Sequence, residues 1–360
     1  MVRHIAESVP MSVGTKVLNS VSGAITSNAT ITVGFTSDCD FVCEVGANDH
    51  RAKIQAAIDA IPSTGGIVLL REGVYDVQST AAVWGNTITT KVSGTIVTGI
   101  GPGTVINYTP TNPASSCIAI DNTFCVIENM KFVSMNDTQP IMVGVTANGS
   151  DSTISSIWVY TTHGMTCSVN IGAAARVLVD NVRVVETVSQ GWTCLNTTGT
   201  ETTISNCCVF GVAHTDPNAG FGMTSGSHCA IFNNVLQGVQ ICMTNTTGYN
   251  RIIGNDIRNA GGFGITFNGG GGGNAASSVI ADNYIEAAVG IQNADNTTQN
   301  DYIITGNRIN CTTGLALTSI ASRFMVHGNN FYGCTTDISD SGTGTLKRDN
   351  VSKDGAWLAE

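Results

Sequence analysis

From about residue 63 onward the chain is written in short apolar runs, rich in Val, Ile, Thr and Phe, and each run is broken by Gly, Asn or Asp. A helical repeat would need apolar residues three and four apart over ten or more positions. Runs this short, ending in turn residues, are strand and turn chemistry. Behind each run an asparagine returns: Val126-Ile127-Glu128-Asn129, Thr203-Ile204-Ser205-Asn206, Val279-Ile280-Ala281-Asp282-Asn283 and Ile303-Ile304-Thr305-Gly306-Asn307 are examples. The markers fall at 129, 156, 181, 206, 233, 255, 283, 307 and 329, with Ser156 in place of Asn, and the gaps are 27, 25, 25, 27, 22, 28, 24 and 22. A period near 25 means a solenoid, in which each unit buries its apolar face only by stacking on the next.

Each unit reads as three strands: the run before the Asn, the residues after it (Val182-Arg183-Val184, Asp256-Ile257-Arg258), and a strand opened by Gly (Gly191-Trp192-Thr193-Cys194, Gly262-Phe263-Gly264-Ile265). That is the coil of a parallel β-helix. Asn suits a tight corner because it tolerates the left-handed region, and its amide can bond the same amide one coil above. The pattern predicts one shared register for Asn129, Asn181, Asn206, Asn255 and Asn307. Ahead of the repeat, Ile54, Ala57, Ile58 and Ile61 share one helical face, so a capping helix is predicted over 50–61, started by Asp49 and stopped by Pro62. The division expected is a strand-rich segment at 1–46, a β-helix at 47–350 that includes the cap, and a tail at 351–360.

Composition narrows the partners. Net charge is −10 with only 12% charged residues, and Lys and Arg are scattered, so no basic stripe invites nucleic acid. No 18-residue apolar run exists to span a membrane. Residues 1–8 show no apolar core and no small-residue cleavage site, so no cleavable secretory signal is expected. The twelve cysteines lack metal-site spacing, Cys39-x3-Cys43 included, and no metal or cofactor is expected. Cys167 and Cys194 each follow an opening Gly by three residues, in the column continued by Met223, Ile241, Ile265, Ile291 and Leu315. They are predicted to be buried, reduced and stacked. Adjacent Cys207 and Cys208 should point in and out. Free core thiols fit folding in a reducing cytoplasm.

The stretch Asp40-Phe41-Val42-Cys43, Lys53-Ile54-Gln55-Ala56-Ala57-Ile58, Gly65-Gly66-Ile67-Val68-Leu69-Leu70, Gly73-Val74-Tyr75-Asp76-Val77 and Gly101-Pro102-Gly103-Thr104-Val105-Ile106 resembles the start of pectate-lyase-like right-handed β-helix proteins. That superfamily includes phage tailspikes, polysaccharide lyases, glycosidases and alginate epimerases. With the repeats counted, the resemblance covers residues 40 to 350. It implies an all-β, single-stranded, right-handed parallel β-helix. For activity it implies little, because this fold hosts many functions.

In the enzymes this chain resembles, the Gly-opened strands and their turns form the substrate groove. Outward positions expected there include Thr166, Thr193, Gln240, Thr266 and Gln292, the candidate sugar-binding residues. None of the outward positions is charged or His. Glycoside hydrolysis needs two carboxylates and lyase chemistry a base, so this face supplies neither. The superfamily's paired-Asp, Gly-His-Gly and Arg-x-Lys signatures are missing, and His163-Gly164 keeps only a fragment of one. The turns entering the strands carry His163, Glu186 and His214-Thr215-Asp216 on successive coils. Glu186 and Asp216 are the acid–base or nucleophile candidates, with His214 or His163 as proton carrier. His214-Thr215-Asp216-Pro217 is similar to the Asp-Pro-His motif of alginate epimerases in a different order. Polar residues collect in turns anyway, so a solvated surface explains the same residues. Gly269 to Gly273 reads as a long loop without the Lys and Ser/Thr of a phosphate loop. The Thr column is too broken by Gly, Leu, Cys and Gln for an ice-binding lattice.

Three functions fit. The first is a virion or surface β-helix, tailspike-like, that binds polysaccharide, is homotrimeric or held by other virion proteins, and is made without an export signal. The second is a stand-alone polysaccharide lyase, hydrolase or epimerase. The third is a non-catalytic adhesin or filament subunit.

Overall fold

The computed structural model describes residues 29–79, 85–111, 115–135, 141–161, 167–186, 194–211, 220–224, 226–244, 248–268, 277–293, 299–352, 355, 356 and 358. Within them the chain is a right-handed parallel β-helix with one short helix. Thirty-two strands join a single continuous sheet, and every pairing in it is parallel. Three ladders recur: one before the Asn corner, one after it, and one from the Gly-opened strands.

Alternation explains the core. In Ile303–Thr305, and in Arg308–Leu317 apart from a break at Thr312–Gly314, every second residue turns inward, and the inward ones are Ile304, Ile309, Cys311, Leu315 and Leu317. Ile127, Ile154, Val179, Ile204 and Ile231 stack in register and are fully buried. Removing each such side chain from water is worth about 1.5–3 kcal/mol. Phe267, Tyr302 and Phe324 form a stacked aromatic run, with centroids 4.6 and 5.1 Å apart.

The helix, Arg51–Asp59, buries Ile54, Ala57 and Ile58 in the same core as Val68 and Leu70. Its N-cap is His50, not Asp49, and His50 makes no side-chain cap bond. The Asp49 carboxylate instead accepts from the Arg51 and Gln78 backbone N–H groups at 3.0 and 3.1 Å. Strand Thr30–Gly34 pairs in parallel with Gly66–Leu70, so the ladder already runs ahead of the helix.

The asparagine series is two columns, not one. Asn129, Ser156, Asn181, Asn206 and Asn233 occupy the left-handed corner, with φ between 51° and 57°. From there on the corner belongs to Gly254, Asp282, Gly306, Gly328 and Asp349. Asn255, Asn283, Asn307 and Asn329 sit one residue later, on the inward position held by Cys207 and Asn234 in the coils before. Single-register Asn markers are therefore a misreading, caused by a one-residue slide that a period near 25 hides. The inward column is a buried amide ladder. Asn234, Asn255, Asn283 and Asn307 each donate through Nδ2 to the Oδ1 of the next Asn at 2.9 Å, and Asn329 donates to Asn350 at 3.0 Å. The same Oδ1 atoms accept the backbone N–H of the preceding Asn.

The cysteine register also differs. Cys167 and Cys194 are buried but not stacked, because Val169 pairs with Leu195 and the core column runs through Leu195, Phe221 and Ile241. Met223 pairs with Thr197, one pleat further on. Cys194 contributes a backbone carbonyl, 3.4 Å from Cys167 Sγ. Cys207 is buried and Cys208 half-buried, as alternation requires.

Asn283→Ala removes the acceptor of both Asn255 donors, which lie at 2.9 Å and stay buried. We expect a loss of about 2–5 kcal/mol in urea unfolding, since each orphaned buried donor costs about 1–3 kcal/mol. Asn181→Ala gives up the left-handed preference of an exposed corner, about 1–2 kcal/mol. Equal losses would show that the ladder adds nothing beyond the corner. All twelve cysteines are free, and burial pushes the Cys207 and Cys311 thiols up to about 12. Thiol counting in denaturant without reductant should give twelve, with little labelling of the native protein; a disulfide would contradict the reduced core.

Candidate functional site

The Gly-opened ladder is uncharged on its outward side: Asn170, Asn196, Gly222, Cys242, Thr266, Gln292 and Ala316 follow one another in register. It is not an open groove. Gln240 and Thr266 are only 4% and 3% exposed, and the Thr266 hydroxyl lies 3.4 Å from Gln240 Oε1. Gln292 is half-buried. Asn196 Nδ2 donates to Asn170 Oδ1 at 2.9 Å, a second, shorter amide pair. Of the other sequence candidates, Thr166, Thr193, His163, His214 and Asp216, with Gly269 to Gly273, lie outside the described residues. Glu186 belongs to a strand rather than a turn. It ends Arg183–Glu186, in register with Thr161 and Ser134.

Charged and aromatic side chains gather instead on the ladder after the Asn corner. Its outward side is two columns. One runs Lys131, Trp158, Arg183 and, further along, Asp256, Tyr284, Arg308. The other includes Tyr160, Phe210, Arg258, Glu286 and Tyr332. Stacking coils about 4.8 Å apart brings unlike groups face to face. Lys131 Nζ lies 5.5 Å from the Tyr160 ring, and the Arg183 guanidinium 5.7 Å from Phe210. Arg308 lies 4.6 Å from the Tyr332 ring and 5.9 Å from Tyr284, and Arg258 is 5.1 Å from Tyr284. The Tyr332 hydroxyl donates to the Tyr284 hydroxyl at 2.8 Å. Arg258 is held by both oxygens of Asp256, at 2.7 and 2.8 Å. Lys131, Arg183 and Arg308 have no ion pair among the described residues.

Tyr160 is exposed and Trp158, Phe210, Tyr284 and Tyr332 are half-buried; outward aromatic rings beside cations and carboxylates can contact the apolar face of a sugar and bind its hydroxyl or acid groups. The sequence reading placed the candidate site on the Gly-opened strands, not on this face. Its signal was in the sequence: the residues directly after the later markers alternate outward as Asp256-x-Arg258, Tyr284-x-Glu286, Arg308-x-Asn310 and Asn330-x-Tyr332. Among the described residues no cluster of three His, Cys, Asp or Glu side chains is placed to hold a metal.

No protein-family model and no curated protein matches the chain. Solved structures do. The A-module of a mannuronan C-5 epimerase from Azotobacter vinelandii is similar at TM-score 0.59 and 16% identity, over 87% of this chain and 99% of that one. The tailspike of Escherichia coli bacteriophage HK620, solved with a pentasaccharide, is similar at TM-score 0.66 and 14% identity, over 89% of this chain and 66% of that one. The Dettilon tailspike is similar at TM-score 0.56 and 17% identity, over 90% of this chain. The chain spans 60% of the Dettilon tailspike's length. At these identities the likeness is one of fold: the chain is a right-handed parallel β-helix like theirs.

Burial, and then the hydrogen bond with Tyr284, hold the Tyr332 phenol above its ordinary value. A raised folded value means the pair stabilises the protein fully below the unfolded tyrosine value of about 10 and less as pH rises through the folded value. The difference in melting temperature between wild type and Tyr332→Phe should therefore be present at pH 7 and shrink at strongly alkaline pH. An unchanging difference would mean that the hydroxyl pair is not its source.

Proposed function

We propose that this protein is a polysaccharide-binding β-helix of the tailspike kind, carried on a virion or another surface. The observation that carries this reading is the outward face of aromatic rings and stacked cations that follows the Asn corner. The solved tailspike with a bound pentasaccharide shares its fold. The expected assembly is a homotrimer. Supporting it, one outward column of the ladder before the corner ends in four successive apolar residues, Val279, Ile303, Met325 and Leu346, the last two 41% and 40% exposed. Contiguous apolar surface of this kind marks interfaces.

A cleaving or epimerising enzyme is the second reading. It rests on Glu186, a carboxylate that ends the same strand as Arg183, three residues away. In that case Glu186 and Asp216 act as acid and base, helped by His163 or His214.

Two experiments separate these readings. Tyr284→Ala with Tyr332→Ala should weaken polysaccharide binding about tenfold or more, as loss of aromatic anchors does, while the circular dichroism spectrum is kept. Unchanged binding would move the site elsewhere. Glu186→Gln and Asp216→Asn should lower any depolymerisation about 10²–10⁴-fold. Full activity in both would remove them from the chemistry.

A further inference from the structure

The face after the Asn corner is positive on a negative chain. Net charge is −10. Along the two outward columns from Lys131 to Tyr332 stand four cations, Lys131, Arg183, Arg258 and Arg308, against two carboxylates, Asp256 and Glu286. One of those carboxylates is committed to Arg258 through two hydrogen bonds. The other three cations are paired with aromatic rings rather than with acids. Elsewhere the chain pairs arginine with aspartate: Arg176 with Asp151, Arg323 with Asp301 and Arg71 with Asp38, at 2.6, 2.8 and 2.6 Å. Three arginines elsewhere are taken up by aspartates in this way, as Arg258 is by Asp256 here.

Stacking on a ring holds a guanidinium in place without using its N–H donors in the ring plane. Arg308 is the clearest case. Tyr284 lies one coil before it and Tyr332 one coil after, and the two phenols are tied to each other by their own hydrogen bond. The guanidinium is thereby oriented, is exposed, and has no ion-pair partner among the described residues. A planar fork with free donors matches a carboxylate in two-point geometry.

We infer that Arg308, oriented by Tyr284 and Tyr332, binds the carboxylate of an acidic sugar, so that the protein selects polysaccharides bearing uronic or other acid groups over neutral ones. The inference rests on the polysaccharide-binding reading above. Arg183 over Phe210 and Lys131 over Tyr160 repeat the arrangement further along the same face. Cations repeated along one line suit a polymer whose acid groups also repeat. Lys131 and Arg183 stand two coils apart in this column, and Arg308 five coils further on. A protein ligand with an acidic surface offers no such one-dimensional repeat.

The test uses the full chain on an array of bacterial acidic polysaccharides, each printed in its native form and in a carboxyl-reduced, neutral form. Binding to native forms only, weakened about 10–100-fold by Arg308→Gln and falling with added salt, supports the inference. Arg308→Lys should recover part of the loss, since it keeps the charge but not the planar fork. Equal binding to native and reduced forms overturns acid selection and leaves polysaccharide binding standing. No binding to any polymer overturns both. Arg308→Gln binding native forms as wild type does places the acid contact on another residue and overturns the role of Arg308. The Gln side chain points away from the core, and an unchanged melting temperature checks that the fold is kept.

Discussion

The register of the later coils hangs on a backbone event, a left-handed residue repeated at the same corner of each coil from Asn129 to Asp349. A residue with φ near +55° turns the chain sharply and reverses the sense of alternation, so the next side chain faces the core. For most residues that conformation costs about 1–2 kcal/mol. The chain answers with Asn, Asp and Gly: Asn129, Asn181 and Asn206 early, Gly254, Gly306 and Gly328 late. Once the corner is fixed, the strands on either side have no freedom of register, because a slip of one residue would turn every apolar side chain outward.

The inward position behind the corner is filled in two ways. In the early coils Met130, Ile157, Val182 and Cys207 fill it by volume. From Asn234 onward amides fill it, and each amide satisfies its neighbour and the neighbour's backbone. A buried amide column of this kind is stable only when complete, since one gap strands two donors in a medium with no water to take them. The change of corner residue from Asn to Gly or Asp goes with the change of filling. Where the amide has moved inside, the corner needs only conformational freedom, and Gly supplies it.

Much of this was legible. The period, the three strands per unit, the short helix over Ile54 and Ile58 and the reduced cysteines follow from alternation and turn chemistry alone. What failed was phase. A spacing near 25 with gaps from 22 to 28 cannot tell Asn206 at the corner from Asn255 one residue past it. The dipeptides Gly254-Asn255, Gly306-Asn307 and Gly328-Asn329 held the answer, because Gly beside Asn names the left-handed residue. The same one-residue error shifted Cys194 onto the column that Leu195 fills. The candidate site suffered differently. Gln240 and Thr266 alternate outward as expected, but outward proved not to mean exposed. Alternation gives the direction of a side chain and says nothing of what covers it.

The corner also fixes where the residues of the aromatic face stand. Each ladder amide is followed directly by a member of the outward column: Asn255 by Asp256, Asn283 by Tyr284, Asn307 by Arg308 and Asn329 by Asn330. The backbone of each ladder Asn is held at both ends, by its N–H bonded to the next amide and by its side chain bonded to a carbonyl one coil below, as Asn307 is to Ile280 at 3.0 Å. Arg308 and Tyr284 therefore start from Cα positions fixed by the most constrained atoms in the coil. Side chains on such a base lose little further freedom when a ligand arrives, so less of the contact energy is spent on ordering them. Neighbours that share only the fold, at 14–17% identity, need not share this column. A solenoid offers every chain the same lattice of positions, and specificity arises from which residues a given chain places after its corners.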